Sequence, residues 1–149
     1  MSANNRCSAL PDTKEPAQLF RRFSQTRGVW LHSPGALSAP SLQLVNSSRF
    51  AGMQLDVLTY TELPVIPFWR YDLVVLEKAH SQAMPALLAS IKRVRTLSRA
   101  PLVVLMRRLA PTTTIAGLSA GADAVASLLM PEQVLLAHWG AMLNRWRAA

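Results

Sequence analysis

Apolar residues recur along this chain in two rhythms, short runs of the kind that form strands and longer stretches spaced to one helical face. Val29-Trp30-Leu31 is a short apolar run ended by the turn cluster His32-Ser33-Pro34-Gly35, and a weakly amphipathic stretch follows to Phe50. Gln54 to Tyr60 alternates apolar and polar positions as a half-buried strand does. Beyond a connection containing proline, Asp72 to Leu76 is a continuous β-branched and aliphatic run, the pattern of a central parallel strand covered on both faces. Ala86 to Leu97 places Leu87, Leu88, Ile91, Val94 and Leu97 at helical spacing, with Lys92, Arg93 and Arg95 on the other face. Pro101 to Met106 is a second buried-strand run. Thr112 to Ala120 reads as a helix that Gly121 can cap, and Ala124 to Leu129 as a last strand. In the final helix, Pro131 to Arg147, the residues Leu135, Trp139, Met142 and Trp146 form one stripe, with Leu136 and Leu143 beside it. Such a stripe is core rather than a cofactor box. Strands alternating with helices of this length predict right-handed crossovers and a doubly wound α/β domain: an open, parallel, five-stranded sheet with helices on both faces.

The pattern starts at Gly28, so residues 28–149 read as the domain and residues 1–27 as a polar N-terminal extension. Within that extension Leu19, Phe20 and Phe23 share a helical face, which suits either a docking helix on a flexible arm or a helix packed on the domain. The chain has 149 residues, half of them hydrophobic, enough to bury one sizeable core. Its apolar runs are too short to span a membrane, and the start is polar and unlike a secretory signal. A soluble, cytoplasmic protein is the expectation. The single Cys7 fits a reducing compartment and excludes both an internal disulfide and a four-thiol zinc site. Sixteen Lys and Arg against eight Asp and Glu give a net charge of +8. That balance admits an acidic partner or nucleic acid, but the basic residues are spread over Arg21, Arg22 and Arg27, over Lys92, Arg93, Arg95 and Arg99, and over Arg107 and Arg108, not gathered into one tract.

Four segments, Tyr71 to Glu77, Ala100 to Met106, Gly117 to Asp123 and Leu135 to Arg145, resemble in order and spacing the response-regulator receiver domain. The resemblance runs from about Gly28 to Arg145 and implies the flavodoxin-like fold. Receivers hold magnesium with acidic residues after the first strand and accept phosphate on an aspartate after the third. They use a Thr or Ser after the fourth strand and a Lys after the fifth. Carboxylates hold the metal, and metal and lysine together neutralise the transferred phosphoryl group. The corresponding positions in this chain are His32 and Ser33, Glu77, Met106 and Leu128, and the switch aromatic of the fifth strand corresponds to Val125. Every one has changed. The resemblance therefore implies a degenerate member, a pseudo-receiver, with no magnesium, no cofactor and no phosphorylation. Glu77 could supply a permanent negative charge in place of a phosphoaspartate. The simpler expectation is an ion pair with Arg107 or Arg108 at the end of the neighbouring strand.

Other chemistry finds no constellation. Gly117-Leu-Ser-Ala-Gly121 matches the serine-hydrolase elbow pattern, and Asp123 and His138 follow it, but that elbow needs a strand before the serine and a helix after it. Here the order is reversed. His32, His80 and His138 lack metal-ligand spacing, and no phosphate-binding glycine loop is present. The chain is thus expected to be no enzyme but a phosphorylation-independent interaction module in bacterial signalling or transcriptional control. Its partner would be another protein or a second copy, with nucleic acid the alternative. By the same resemblance, the docking face is the one made by the Thr112 to Ala120 helix, the last strand and the final helix, and Met130, Val134 and His138 are expected to point outward there.

Overall fold

The computed structural model of the protein describes residues 22–149. Five strands, β1 (Arg27–His32), β2 (Gln54–Thr59), β3 (Leu73–Glu77), β4 (Leu102–Met106) and β5 (Ala124–Ser127), alternate with helices α1 (Ala39–Phe50), α2 (Met84–Leu97), α3 (Pro111–Ala120) and α4 (Glu132–Ala148). Two short 3-10 helices, Tyr60–Val65 and Phe68–Arg70, fill the connection between β2 and β3. Every pairing is parallel and the strand order is β2-β1-β3-β4-β5. This is the doubly wound, flavodoxin-like α/β architecture that the alternation predicts. Among the described residues no helix is long and apolar enough to cross a membrane.

The strand patterns explain the order. All residues of β3 and β4 are buried, so these aliphatic runs occupy the middle of the sheet, whereas β2 and β5, with partly exposed residues, take the edges. Side chains alternate between two core layers. On one face Trp30, Leu73, Val75, Val103 and Leu105 meet Leu44 and Val45 of α1 and Leu135, Leu136, Trp139 and Leu143 of α4. On the other, Val29, Leu31, Val74, Leu76, Leu102 and Val104 meet Leu87, Ile91 and Val94 of α2. Trp30 and Trp139 pack edge to face, with ring centroids 6.5 Å apart.

α3 buries only Gly117, which lies so close to β5 that an added Cβ would come within 2.9 Å of Val125 Cγ2. The helix ends at Gly121, whose φ of +125° suits no residue with a side chain. Arg95 fastens that turn to α2. Its Nε donates to the Gly121 carbonyl at 2.9 Å, and its Nη2 reaches Asp123 Oδ2, which also accepts the Leu102 backbone N–H at 2.8 Å.

Three expectations need correction. The boundary at Gly28 falls inside β1, and Phe23 is fully buried in the core layer of α1 and α4. Its backbone N–H donates to the Ala51 carbonyl at 2.9 Å, and Arg147 Nη2 donates to Thr26 Oγ1 at 2.9 Å, so this turn is part of the packed domain. Leu19 and Phe20 lie outside the described residues. The stripe of α4 runs through Leu135, Leu136, Trp139 and Leu143, with Met142 only partly buried and Trp146 exposed near the chain end. β5 stops at Ser127, and the chain turns at Leu128 and Leu129 before α4 begins.

Replacing Phe23 with Ala empties a fully buried aromatic site and is expected to cost about 3–5 kcal/mol. Urea denaturation followed by tryptophan fluorescence reads the change; an unchanged midpoint would return Phe23 to a separate arm.

Candidate functional site

The carboxyl ends of β1, β3 and β4 open onto a cavity of about 280 Å³ lined by His32, Ser33, Ser38, Glu77, Lys78, His80, Ser81, Arg107 and Leu128 among others. In an open parallel sheet, ligands sit outside the carboxyl ends where the strand order reverses, which in the order β2-β1-β3-β4-β5 is between β1 and β3. His32 ends β1 and Glu77 ends β3, so the cavity occupies that switch point. The fold brings His32, Ser33, Glu77 and Leu128 together around this one cavity. Met106 is the exception. At the end of β4 it is buried among the residues of the α2 layer and does not line the cavity. Val125, which the resemblance matches to the switch aromatic, is half-buried against that same layer and abuts Gly117.

Glu77 is the centre of the arrangement. It shares the sheet face of Leu73 and Val75, so its side chain leaves the strand end toward Trp30 and α1. The Trp30 indole N–H donates to Oε1 and the Ser41 hydroxyl to Oε2, each at 2.9 Å, and Ser38 Oγ donates to Ser41 Oγ at 3.0 Å. β1 puts Trp30 opposite Val75, one pleat back along β3, which sets the indole at the right height for Glu77. Ser41 lies in the first turn of α1, packed down on that face. A buried indole N–H and a buried hydroxyl each need an acceptor, and one carboxylate satisfies both. No ion pair with Arg107 or Arg108 forms; both arginines are exposed, and that expectation is corrected. The geometric reason is that Glu77 turns toward Trp30 and Ser41, which take both of its oxygens, while Arg107 and Arg108 follow the end of β4 without reaching it.

On the other side of the sheet Tyr60 Oη donates to the Glu77 carbonyl at 2.8 Å. Burial, reinforced by the Glu77 carboxylate, pushes the Tyr60 phenol well above its ordinary value. Tyr71 Oη donates to Asp56 Oδ2 at 2.6 Å, and burial together with that bond pushes its phenol up to about 12. These are the chain's two tyrosines.

Lys78, Trp30 and Ser41 were given no role from sequence, and His80 and Arg107 were weighed only as a metal ligand and as an ion-pair partner of Glu77. Lys78, His80 and Arg107 follow strand ends at positions that carry no motif, whereas a tryptophan inside a buried strand was a signal, since its N–H requires an acceptor on a neighbouring strand. Met130 also needs correction. It is partly buried and packs on the core layer of α1 and α4, while Val134 and His138 are exposed as expected. The residue that turns outward at this corner is Leu129. Ser119 sits within α3 with β5 following, the wrong order for a nucleophile elbow.

No protein-family model matches the chain, and no curated protein sequence matches it. Solved structures do. A two-component response regulator from Clostridium difficile is 18% identical with a TM-score of 0.68, over 82% of this chain and 98% of that one. The BeF3-activated N-terminal receiver domain of RstA from Klebsiella pneumoniae is 20% identical with a TM-score of 0.60, over 79% and 98%. A putative pilus assembly-related protein from Burkholderia pseudomallei is 15% identical with a TM-score of 0.59, over 84% and 92%. The likeness establishes a receiver-like fold.

Two outcomes follow from this geometry. Phenolate absorption should be nearly absent in the native protein at pH 10.5 and appear when denaturant is added, since unfolded tyrosines ionise near pH ~10. Because both folded values are raised, the stability these phenols contribute is complete below pH ~10 and is lost as pH climbs toward about 12. Replacing Glu77 with Ala leaves the Trp30 N–H and Ser41 O–H without their acceptor and should cost about 2–4 kcal/mol, with Gln retaining more of the stability than Ala. A Glu77→Ala variant that unfolds at the same urea concentration as wild type would contradict the assignment.

Proposed function

We propose that this chain is a pseudo-receiver, a phosphorylation-independent protein-interaction module in bacterial signal transduction or transcriptional regulation, and not an enzyme. One observation carries the reading: the carboxylate at the phosphoacceptor position is taken up by Trp30 and Ser41. The other positions agree with it. His32 and Ser33 stand where a metal cage needs acids, Met106 offers no hydroxyl, and Leu128 is an apolar side chain where a receiver's lysine would neutralise the phosphoryl group. A fold kept without that chemistry retains its surfaces.

The surface that suits a partner borders the free edge strand. β5 ends the sheet, and the elements on either side of it leave Ile115, Leu118, Leu129 and Val134 exposed, at 63%, 44%, 61% and 40%. Apolar side chains grouped along one edge mark contact sites more often than scattered ones do. The partner would be a protein or a second copy of this chain. Nucleic acid is a second reading, favoured by the exposed Lys92, Arg93 and Arg99 on and after α2, within a chain of net charge +8. Capture from the native cell with a tagged copy, with and without nuclease, separates the two.

Leu129→Asp with Val134→Asp should change stability by no more than about 0.5 kcal/mol per site, because neither side chain is in the core. The same pair should abolish nuclease-resistant capture or self-association, measured by sedimentation velocity. Full retention of both would move the interface off this edge.

A further inference from the structure

We infer that the cavity at the carboxyl ends of β1, β3 and β4 is a site for a phosphate-type oxyanion, held without metal and without covalent transfer. The inference rests on the reading that phosphotransfer has been lost. Cationic and imidazole side chains reach the cavity from three strand ends: His32 from β1, Lys78 and His80 from the segment after β3, and Arg107 from the end of β4. Ser33 and Ser81 add hydroxyl donors. Among the described residues, the side chains of His32, Ser33, His80, Ser81 and Arg107 have no hydrogen-bond partner, so their donors are uncommitted. Lys78 Nζ donates only to the neighbouring Ala79 carbonyl, at 3.1 Å.

The one carboxylate lining this space is Glu77. Both of its oxygens already accept bonds from Trp30 and Ser41, which reduces its repulsion of an incoming anion. The N-terminus of α1 opens onto the same space through Ser38, its N-cap, and adds the positive end of a helix dipole. The charge sign thus selects an anion over a cation. Donors arriving from three directions suit a tetrahedral group with several oxygens better than a planar carboxylate, and an arginine fork is well matched to phosphate. A volume of about 280 Å³ leaves room for a small organic group on the phosphate. Free phosphate and a phosphate monoester share this chemistry.

The test is a nitrogen–proton correlation NMR titration of the whole chain at constant ionic strength, in separate arms with inorganic phosphate, glycerol phosphate and sodium chloride. Saturable shifts confined to residues 32–38, 78–81 and 107 in either phosphate arm are expected; tighter binding of glycerol phosphate would identify a monoester as the ligand. His80→Ala and Arg107→Ala change exposed residues outside the core, and each should weaken binding at least tenfold, while Arg93→Ala, on the exposed face of α2, should not. Absence of saturable shifts, equal shifts with chloride, or unchanged binding in both the His80 and Arg107 variants would overturn the site. Mass spectrometry of the same samples after acetyl phosphate and magnesium keeps the two ideas apart. Failure of binding with an unmodified mass removes the oxyanion site alone, whereas a covalent phosphoryl adduct removes the pseudo-receiver reading.

Discussion

One carboxylate holds two buried donors. Glu77 accepts from the Trp30 indole on β1 and from the Ser41 hydroxyl on α1, so three elements meet at a single charged group. The cost of burying a carboxylate is offset only when its oxygens are hydrogen-bonded, and the cost of burying an indole N–H and a hydroxyl only when each finds an acceptor. Much of this side of the domain depends on that closure. Trp30 packs edge to face on Trp139 of α4, Trp139 shares its core layer with Phe23, and Phe23 ties the incoming chain to Ala51 at the end of α1. Glu77 is here a structural fastening between β3, β1 and α1.

The same closure shapes the cavity above. With Glu77 turned toward α1, the carboxyl ends of the strands present His32, His80, Lys78 and Arg107, the groups on which the proposed oxyanion site rests. The edge of the sheet at β5 answers to a different requirement. β5 has no strand beyond it, α3 buries only its glycine, and apolar residues therefore remain on the outside of these elements. The cavity and the edge are separate consequences of one fold, the first electrostatic and the second apolar.

Strand and helix order were legible because β3 and β4 are continuous aliphatic runs and α2 carries its apolar residues at helical spacing. The residues of the cavity were legible only through the order of four segments, since His32, Glu77 and Leu128 carry no motif of their own and are brought together by parallel pairing. Ends and orientations were less visible. Phe23 belongs to the core because Ala51, far along the chain, offers its carbonyl, and periodicity does not encode that. Met130 packs inward and Leu129 outward because β5 stops at Ser127, so a strand drawn two residues too long assigns the faces wrongly. The pairing of Glu77 with an arginine failed for a related reason. Proximity of strand ends does not fix the direction of a side chain, and the unsatisfied indole of Trp30 was the stronger claim on it.

The central claim is that the residue in the phosphoacceptor position serves the core and not phosphotransfer. Intact-mass analysis of the full chain after incubation with acetyl phosphate and magnesium tests it most directly, alongside a Glu77→Asp variant that supplies the family's own acceptor side chain. The account predicts an unmodified mass for both, together with a lowered urea midpoint for the variant, whose shorter carboxylate no longer spans from Trp30 to Ser41. A stoichiometric phosphoryl adduct on the wild-type chain would contradict it.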